Sequence, residues 1–281
     1  MKSRNLIIAA VRPNRYNLFD IRATKPIHYT DHEGSSSAVI EETKEIKVDN
    51  NKNIITHVLP NPIAIQLSIV DKSIDAIKKN KAFNTIESNT NVLKEKIYQD
   101  SKIIYDHLEL VQTSIVFGYT ALETFTNLSI PENYEHKIIN SKGVTEIYNK
   151  ENIERWLSLK YKISIILVDV YKTNDIKKHP IWGKFINFER YRHEIIHQKS
   201  VDSFNYYEKY FKSKTIENLN TPKSLISWFY DQVESKGKTN PIWPWINSDN
   251  NSIPTRYDAK DFFSNTQVVG NLYDGFKKRN K

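Results

Sequence analysis

The stretch FINFERYRHEIIHQ, residues 185–198, decides how the rest of the chain is read. On a helix at about 100° per residue, Trp182, Phe185, Ile186, Phe188, Ile195 and Ile196 gather on one broad arc. That arc is expected to face a core, which makes the stretch one amphipathic helix of a mainly helical protein. The helix is expected to begin at Pro180–Ile181, with proline in a tolerated first-turn position, and to run to about Lys199. Arg192 falls near the middle of the arc and Glu189 lies on it one turn earlier. His193 and His197 sit together at one edge, with Arg190 just beyond. A guanidinium on an apolar arc has to meet a carboxylate or an anion, because an unpaired desolvated charge is costly.

Helical periodicity extends in both directions from this stretch. It begins at about Pro62 and is clearest over residues 90–128. There Ile97, Ile104, Leu108, Val111, Ile115, Gly118, Leu122 and Phe125 form one apolar stripe. Gly118 on that stripe points to close approach by another helix, and Pro131 closes the segment. Residues 152–172 read as a second helix, capped by Asn152, with Trp156, Ile163, Leu167 and Val170 inward. KGVTEIYN reads as a connector, and TPKSLISWFYDQVES, 221–235, as a further helix. Trp243 and Trp245 in PIWPWI are expected to dock on the body, and the last twenty-odd residues to form a terminal helix through Phe262, Val269, Leu272 and Phe276.

Residues 1–60 have a different character. NLIIAAV, YNLFDIRA, AVIEETKEIKV and NIITHVL are rich in β-branched and aromatic residues, as strands are. DNNK reads as the turn between the last two, and DHEGSSS as a polar loop. The expected organisation is a β-rich amino-terminal extension over residues 1–61, a helical domain over 62–240, and a tail with a terminal helix over 241–281. Overall the class is α+β, dominated by helix.

Composition narrows the chemistry. The chain of 281 residues contains no cysteine, so disulfides, thiol catalysis and thiolate metal sites are excluded. Lys and Arg total 41 against 33 Asp and Glu, a net charge of +8 that is compatible with a polyanionic partner without identifying one. The run LIIAAV is too short to cross a membrane or to form a secretory core, so a soluble, cytoplasmic protein is expected.

Two chemistries compete for His197. Read from His193, the motif is H-E-x-x-H: two imidazoles one turn apart can ligate a zinc ion, and Glu194 can polarise a bound water, as in zinc peptidases. Against that stands Arg192, a cation beside the site, and no third histidine follows at the usual spacing. A third ligand would have to be Glu208, Glu217 or Glu234. Read from Arg192, the motif is R-H-x-x-x-H, a phosphate-holding cation followed by an imidazole that can move a proton.

The second reading has wider support. FINFERYRHEIIHQ resembles the last catalytic helix of the HEPN superfamily: Arg, a polar residue, three residues and His. GYTALETFTN resembles the family's helix with a small-residue, Leu-Glu-x-Phe pattern. IERWLSLKYKISIIL and HPIWGKFINFERYR resemble the Trp-bearing helix and the approach to the motif. The resemblance covers roughly residues 90–235 and implies an antiparallel HEPN-like helical bundle. It further implies an endoribonuclease that needs neither metal nor cofactor, with the RNA 2′-hydroxyl as nucleophile. Arg192 would hold the phosphate, His197 would transfer the proton, and His193 would fill the variable polar position. Glu123 is expected to pair with Arg192, with Asn127 nearby. The resemblance also implies a homodimer and a toxin or anti-phage abortive-infection role, with an antitoxin or nucleotidyltransferase as a possible partner. A non-catalytic HEPN-like module that binds nucleotide, RNA or a protein partner is the main alternative.

Overall fold

The computed structural model describes residues 6–8, 15–17, 20, 22–23, 25–31, 34–49, 53–80, 94–197, 206–234, 252–254 and 267–271. These residues are mostly helical, with small antiparallel sheets. Strands β1 (Leu6–Ile8), β4 (Gly34–Val48), β3 (Lys25–Asp31) and β9 (Gln267–Asn271) pair in that order, and β5 (Asn53–Val58) pairs with the far end of β4. Strands β2 (Arg15–Asn17) and β8 (Ser252–Pro254) form a separate pair, as do β6 (Glu135–Ile139) and β7 (Thr145–Asn149). The helices are α1 (Pro62–Lys79), α2 (Lys94–Ser129), α3 (Lys150–Trp156), α4 (Leu159–Tyr161), α5 (Leu167–Tyr171), α6 (Pro180–Ile196), α7 (Ser213–Asn218) and α8 (Thr221–Glu234). No described helix is long and apolar enough to cross a membrane.

The chain divides into two compact units. One comprises residues 1–65, 124–173 and 229–281, and the other residues 66–123 and 174–228. This division does not follow the three consecutive segments expected from the sequence. α2 supplies Phe125 to the first core and Val111, Ile115 and Leu122 to the second, and Ile130, just past the end of α2, is buried in the first.

In the first unit, Asn61 caps α1: its side-chain oxygen accepts from the amides of Ile63 at 2.9 Å and Ala64 at 3.2 Å. Residues 150–171 depart from the single helix expected over 152–172. Leu157 is extended, Ser158 starts a new turn by accepting from Tyr161 N at 3.2 Å, and residues 162–166 form a π-helical stretch. The cap is Asn149, three residues before Asn152, whose amide it accepts. The break turns Trp156 outward, so it is 64% exposed instead of buried. KGVTEIYN is no mere connector. Its second half is β7, and Asn140 Oδ1 closes the β6–β7 turn by accepting from Lys142 N and Val144 N, each at 3.0 Å, with Gly143 at φ +76°. Ser35–Ser37 belong to β4, not to a loop, and residues 267–271 are a strand where a helix was expected. Asp49 does adopt positive φ after β4, as a turn residue can. Trp243, Trp245, Phe262, Leu272 and Phe276 lie outside the described residues.

In the second unit, Val111, Ile115 and Leu122 of α2 are fully buried, while Ile97, at the start of the predicted stripe, is 51% exposed. Phe185 and Phe188 of α6 are fully buried as well. Gly118 marks the close approach that its position on the stripe implies. A Cβ there would stand 2.8 Å from Pro222 Cγ of α8 and 2.9 Å from Phe188 Cζ of α6.

Candidate functional site

His179 and Pro180 set the start of α6, with His179 Nδ1 accepting from Ile181 N at 3.3 Å. The buried face of α6 is Ile181, Phe185 and Phe188; Ile196, expected on that face, is 48% exposed. Every residue of the site except Asn127 belongs to the second unit.

Arg192 is half-buried on α6. Neither the expected pair with Glu123 nor a pair with Glu189 forms: among the described residues no carboxylate oxygen lies within 4.0 Å of its guanidinium. Instead the guanidinium sits 4.9 Å from the ring centroid of buried Tyr119. Tyr119 OH in turn donates to Glu189 Oε1 at 3.2 Å. A cation over an aromatic face is attracted by about 0.5–2 kcal/mol, and among the described residues no side chain or carbonyl accepts from the guanidinium N–H donors. The Tyr119 hydroxyl is held well above its ordinary pKa, first by burial, then by the carboxylates of Glu189 and Glu123 and the hydrogen bond to Glu189, with Arg192 opposing. It therefore remains a protonated donor at neutral pH. Glu123 is near enough to Tyr119 to contribute to that rise, and Gly118 fixes the separation of α2 and α6 there.

Asn127 has a partner of its own. It belongs to the first unit, where its Oδ1 accepts from Lys162 Nζ at 2.8 Å. Lys162 is only 4% exposed and also donates to Glu154 O at 3.3 Å. A buried ammonium needs acceptors, and Asn127 is one of them.

His193 and His197 lie in the last turn of α6, both exposed, with ring centroids 4.6 Å apart and planes tilted by 47°. The His197 amide donates to His193 O at 2.9 Å and closes the helix. Glu194 faces other partners. Its carboxylate is paired with Lys209 Nζ, and Arg190 Nε lies 4.0 Å away. Its carbonyl accepts from Tyr206 OH at 3.0 Å. Lys209 Nζ lies 4.0 Å from the Tyr206 ring centroid and 5.0 Å from that of Tyr210. Tyr210 is fully buried, and its carbonyl accepts from His107 Nε2 at 3.0 Å. The aromatic segment 206–211 therefore clamps the C-terminal turn of α6.

This arrangement does not fit a catalytic zinc centre. Among the described residues no group of three or more His, Asp or Glu side chains converges as a metal cage, and Glu194 is tied to Lys209 instead of being available to a bound water. What the arrangement offers is a guanidinium whose donors meet no acceptor among the described residues, and two solvent-facing imidazoles on one helix end. Tyr119, Tyr206 and Lys209 are neighbours of the candidate site that the sequence did not single out individually. The signals were that Tyr119 follows the helix-packing glycine and that the other two fall within the aromatic-rich run FNYYEKYF, residues 204–211. Comparison with protein-family models, with curated proteins and with solved structures finds no match to this chain.

Proposed function

We propose that the chain is a metal-independent endoribonuclease of the HEPN type. The observation that carries this reading is the half-buried Arg192, held against the Tyr119 ring with no carboxylate in ion-pairing range among the described residues, on the helix end that bears His193 and His197. A guanidinium in that setting gains a bidentate partner when a phosphodiester arrives.

The chemistry follows from the groups present. One imidazole takes the proton of the RNA 2′-hydroxyl. The 2′-oxygen attacks the adjacent phosphorus and the bond to the 5′-oxygen breaks. The products are a 2′,3′-cyclic phosphate and a 5′-hydroxyl, the latter protonated as it leaves. His197 is the proton-transferring group, and Arg192 stabilises the charge that builds on the phosphoryl oxygens. His193 supports the phosphate or the second imidazole. With His193 in that supporting role, the one proton-transferring ring of each chain cannot serve as acid and base at the same moment, so the reading includes a homodimer in which a second copy supplies the other imidazole. The HEPN-like antiparallel bundle, the toxin or anti-phage role and a cytoplasmic location belong to this proposal. The mainly helical fold is in keeping with it.

The test uses chelator-treated protein with RNA and with DNA of the same sequence. RNA alone is expected to be cut, leaving cyclic phosphate ends. Equal cutting of DNA, or dependence on added metal, overturns the proposal. Tight nucleotide or RNA binding without cutting assigns the chain to the non-catalytic alternative.

A further inference from the structure

The two imidazoles at the end of α6 have a second capability that the proton-transfer reading does not use. We infer that His193 and His197 form an exchangeable two-imidazole site for a borderline divalent transition ion, of which Zn²⁺ is the biological example, and that occupancy switches the site off. The binding half stands on the geometry alone; the switching half rests on the ribonuclease reading.

The spacing of the two rings matches that of a chelating pair. A metal–nitrogen bond of about 2.0–2.1 Å puts the centroid of a ligating imidazole about 3.2 Å from the ion. Two such rings at right angles about the ion have centroids about 4.5 Å apart, and at a tetrahedral angle about 5.2 Å apart. The observed separation is 4.6 Å, at the right-angle value and about half an ångström short of the tetrahedral one. The His197 amide, donating to His193 O at 2.9 Å, holds the two Cα atoms one helical turn apart before any ion arrives. Both rings face solvent, so an ion reaches them without an opening motion.

The surroundings set the character of the site. Glu194 lies between the two histidines in sequence, but its carboxylate is committed to Lys209, with Arg190 Nε 4.0 Å away. It is therefore not a third ligand, and water completes the coordination. Arg190, Arg192 and Lys209 repel a cation, so binding is weaker than in a three-ligand centre and the ion exchanges. Oxygen-seeking Mg²⁺ and Ca²⁺ have no reason to bind, whereas imidazole suits Zn²⁺, Ni²⁺ and Cu²⁺, with Cu²⁺ the tightest. An ion held here uses the lone pairs that would otherwise accept the 2′-hydroxyl proton, and its positive charge stands where the proton has to move.

The experiment is a calorimetric titration of ZnCl₂, and separately of MgCl₂, into the untagged full chain and its His193→Ala, His197→Ala and double variants. Zn²⁺ is expected to bind the parent and Mg²⁺ is not. Each single variant should lose at least tenfold in affinity, and the double variant no more than either single, because a chelate is lost with its first ligand. Zn²⁺ binding that survives either substitution, or losses that simply sum, overturns the site. In parallel, one equivalent of bound Zn²⁺ should stop RNA cleavage by the parent chain, and chelator should restore it; cleavage that continues with the ion bound overturns the switch. If the chelated parent never cuts RNA, the ribonuclease reading and the switch fall together, and the metal site is still judged by calorimetry alone.

Discussion

Replacing Gly118 with alanine puts a methyl group where the structure has no room for one. The new Cβ would stand 2.8 Å from Pro222 Cγ and 2.9 Å from Phe188 Cζ, both well inside van der Waals contact. Neither neighbour yields easily: Pro222 is a buried ring tied to its own backbone, and Phe188 is fully buried. Overpacking of this kind costs about 1–3 kcal/mol, and two rigid neighbours place it in the upper half of that range. Alanine returns about 1 kcal/mol of helix propensity. The net expectation is a destabilisation of about 1–2 kcal/mol. Gly183 supplies a matched control. It is exposed on α6 with nothing within 4 Å of its virtual Cβ, so Gly183→Ala should stabilise by about 0.5–1 kcal/mol. Urea unfolding of the three proteins reads both effects as opposite shifts of midpoint at constant slope. A Gly118→Ala protein as stable as the parent would refute the claim that Gly118 sets the α2–α6 spacing. Because Phe188 precedes Glu189 and Arg192 on α6, the same substitution is expected to lower RNA cleavage more than the stability loss explains.

Two other outcomes follow from particular groups. Burial holds the His136 imidazole below its ordinary value of 6.5, with Asp169 opposing, and its Nε2 lies 2.9 Å from Tyr161 OH. The unfolded chain therefore takes up that proton more readily than the folded one. The stability contributed is present above pH 6.5 and is lost as pH falls through the window below it. The melting-temperature difference between the parent and His136→Gln should shrink from pH 7.5 to about pH 5.5, and a constant difference contradicts this. Lys209→Met leaves the half-buried Glu194 carboxylate without its main partner and removes the cation from two tyrosine rings. A loss of about 1–2 kcal/mol is expected, between the values for exposed and buried pairs. Adding Glu194→Gln should recover part of it, and additive losses would contradict a direct ion pair.

What the sequence revealed depended on how local the determining interaction was. α6 was legible because Pro180 and the spacing of Phe185 and Phe188 are contained in its own seventeen residues, although Ile181 is buried where the arc had Ile196. Gly118 was legible because a glycine on an apolar stripe has few other reasons to be there. The break at residues 157–158 was not, because Ser158 competes for an amide inside a run whose composition still favours helix. The β6–β7 hairpin hid behind Asn140, whose side chain makes a turn that hydrophobic periodicity does not register. β9 is a strand through pairing with β3, more than two hundred residues away in sequence, which no local pattern records. In the site, the sequence located the charged residues and misassigned their partners. Arg192 was expected to pair with Glu123 or to hold an anion and lies on an aromatic ring, while Asn127, one turn beyond Glu123, serves a buried lysine in the other unit. Helical spacing shows which face a side chain shares; it does not show which of several nearby groups will claim it.

The central claim is that Arg192, cradled by Tyr119, grips a phosphodiester that His197 helps to break. Its most direct test is the rate of RNA cleavage in chelator by the parent chain and by Arg192→Ala, with thermal unfolding of both. The account predicts a fall of about 10²–10³-fold in rate with little change in melting temperature. Cleavage at the parental rate, or loss of activity only because the variant unfolds, would contradict it.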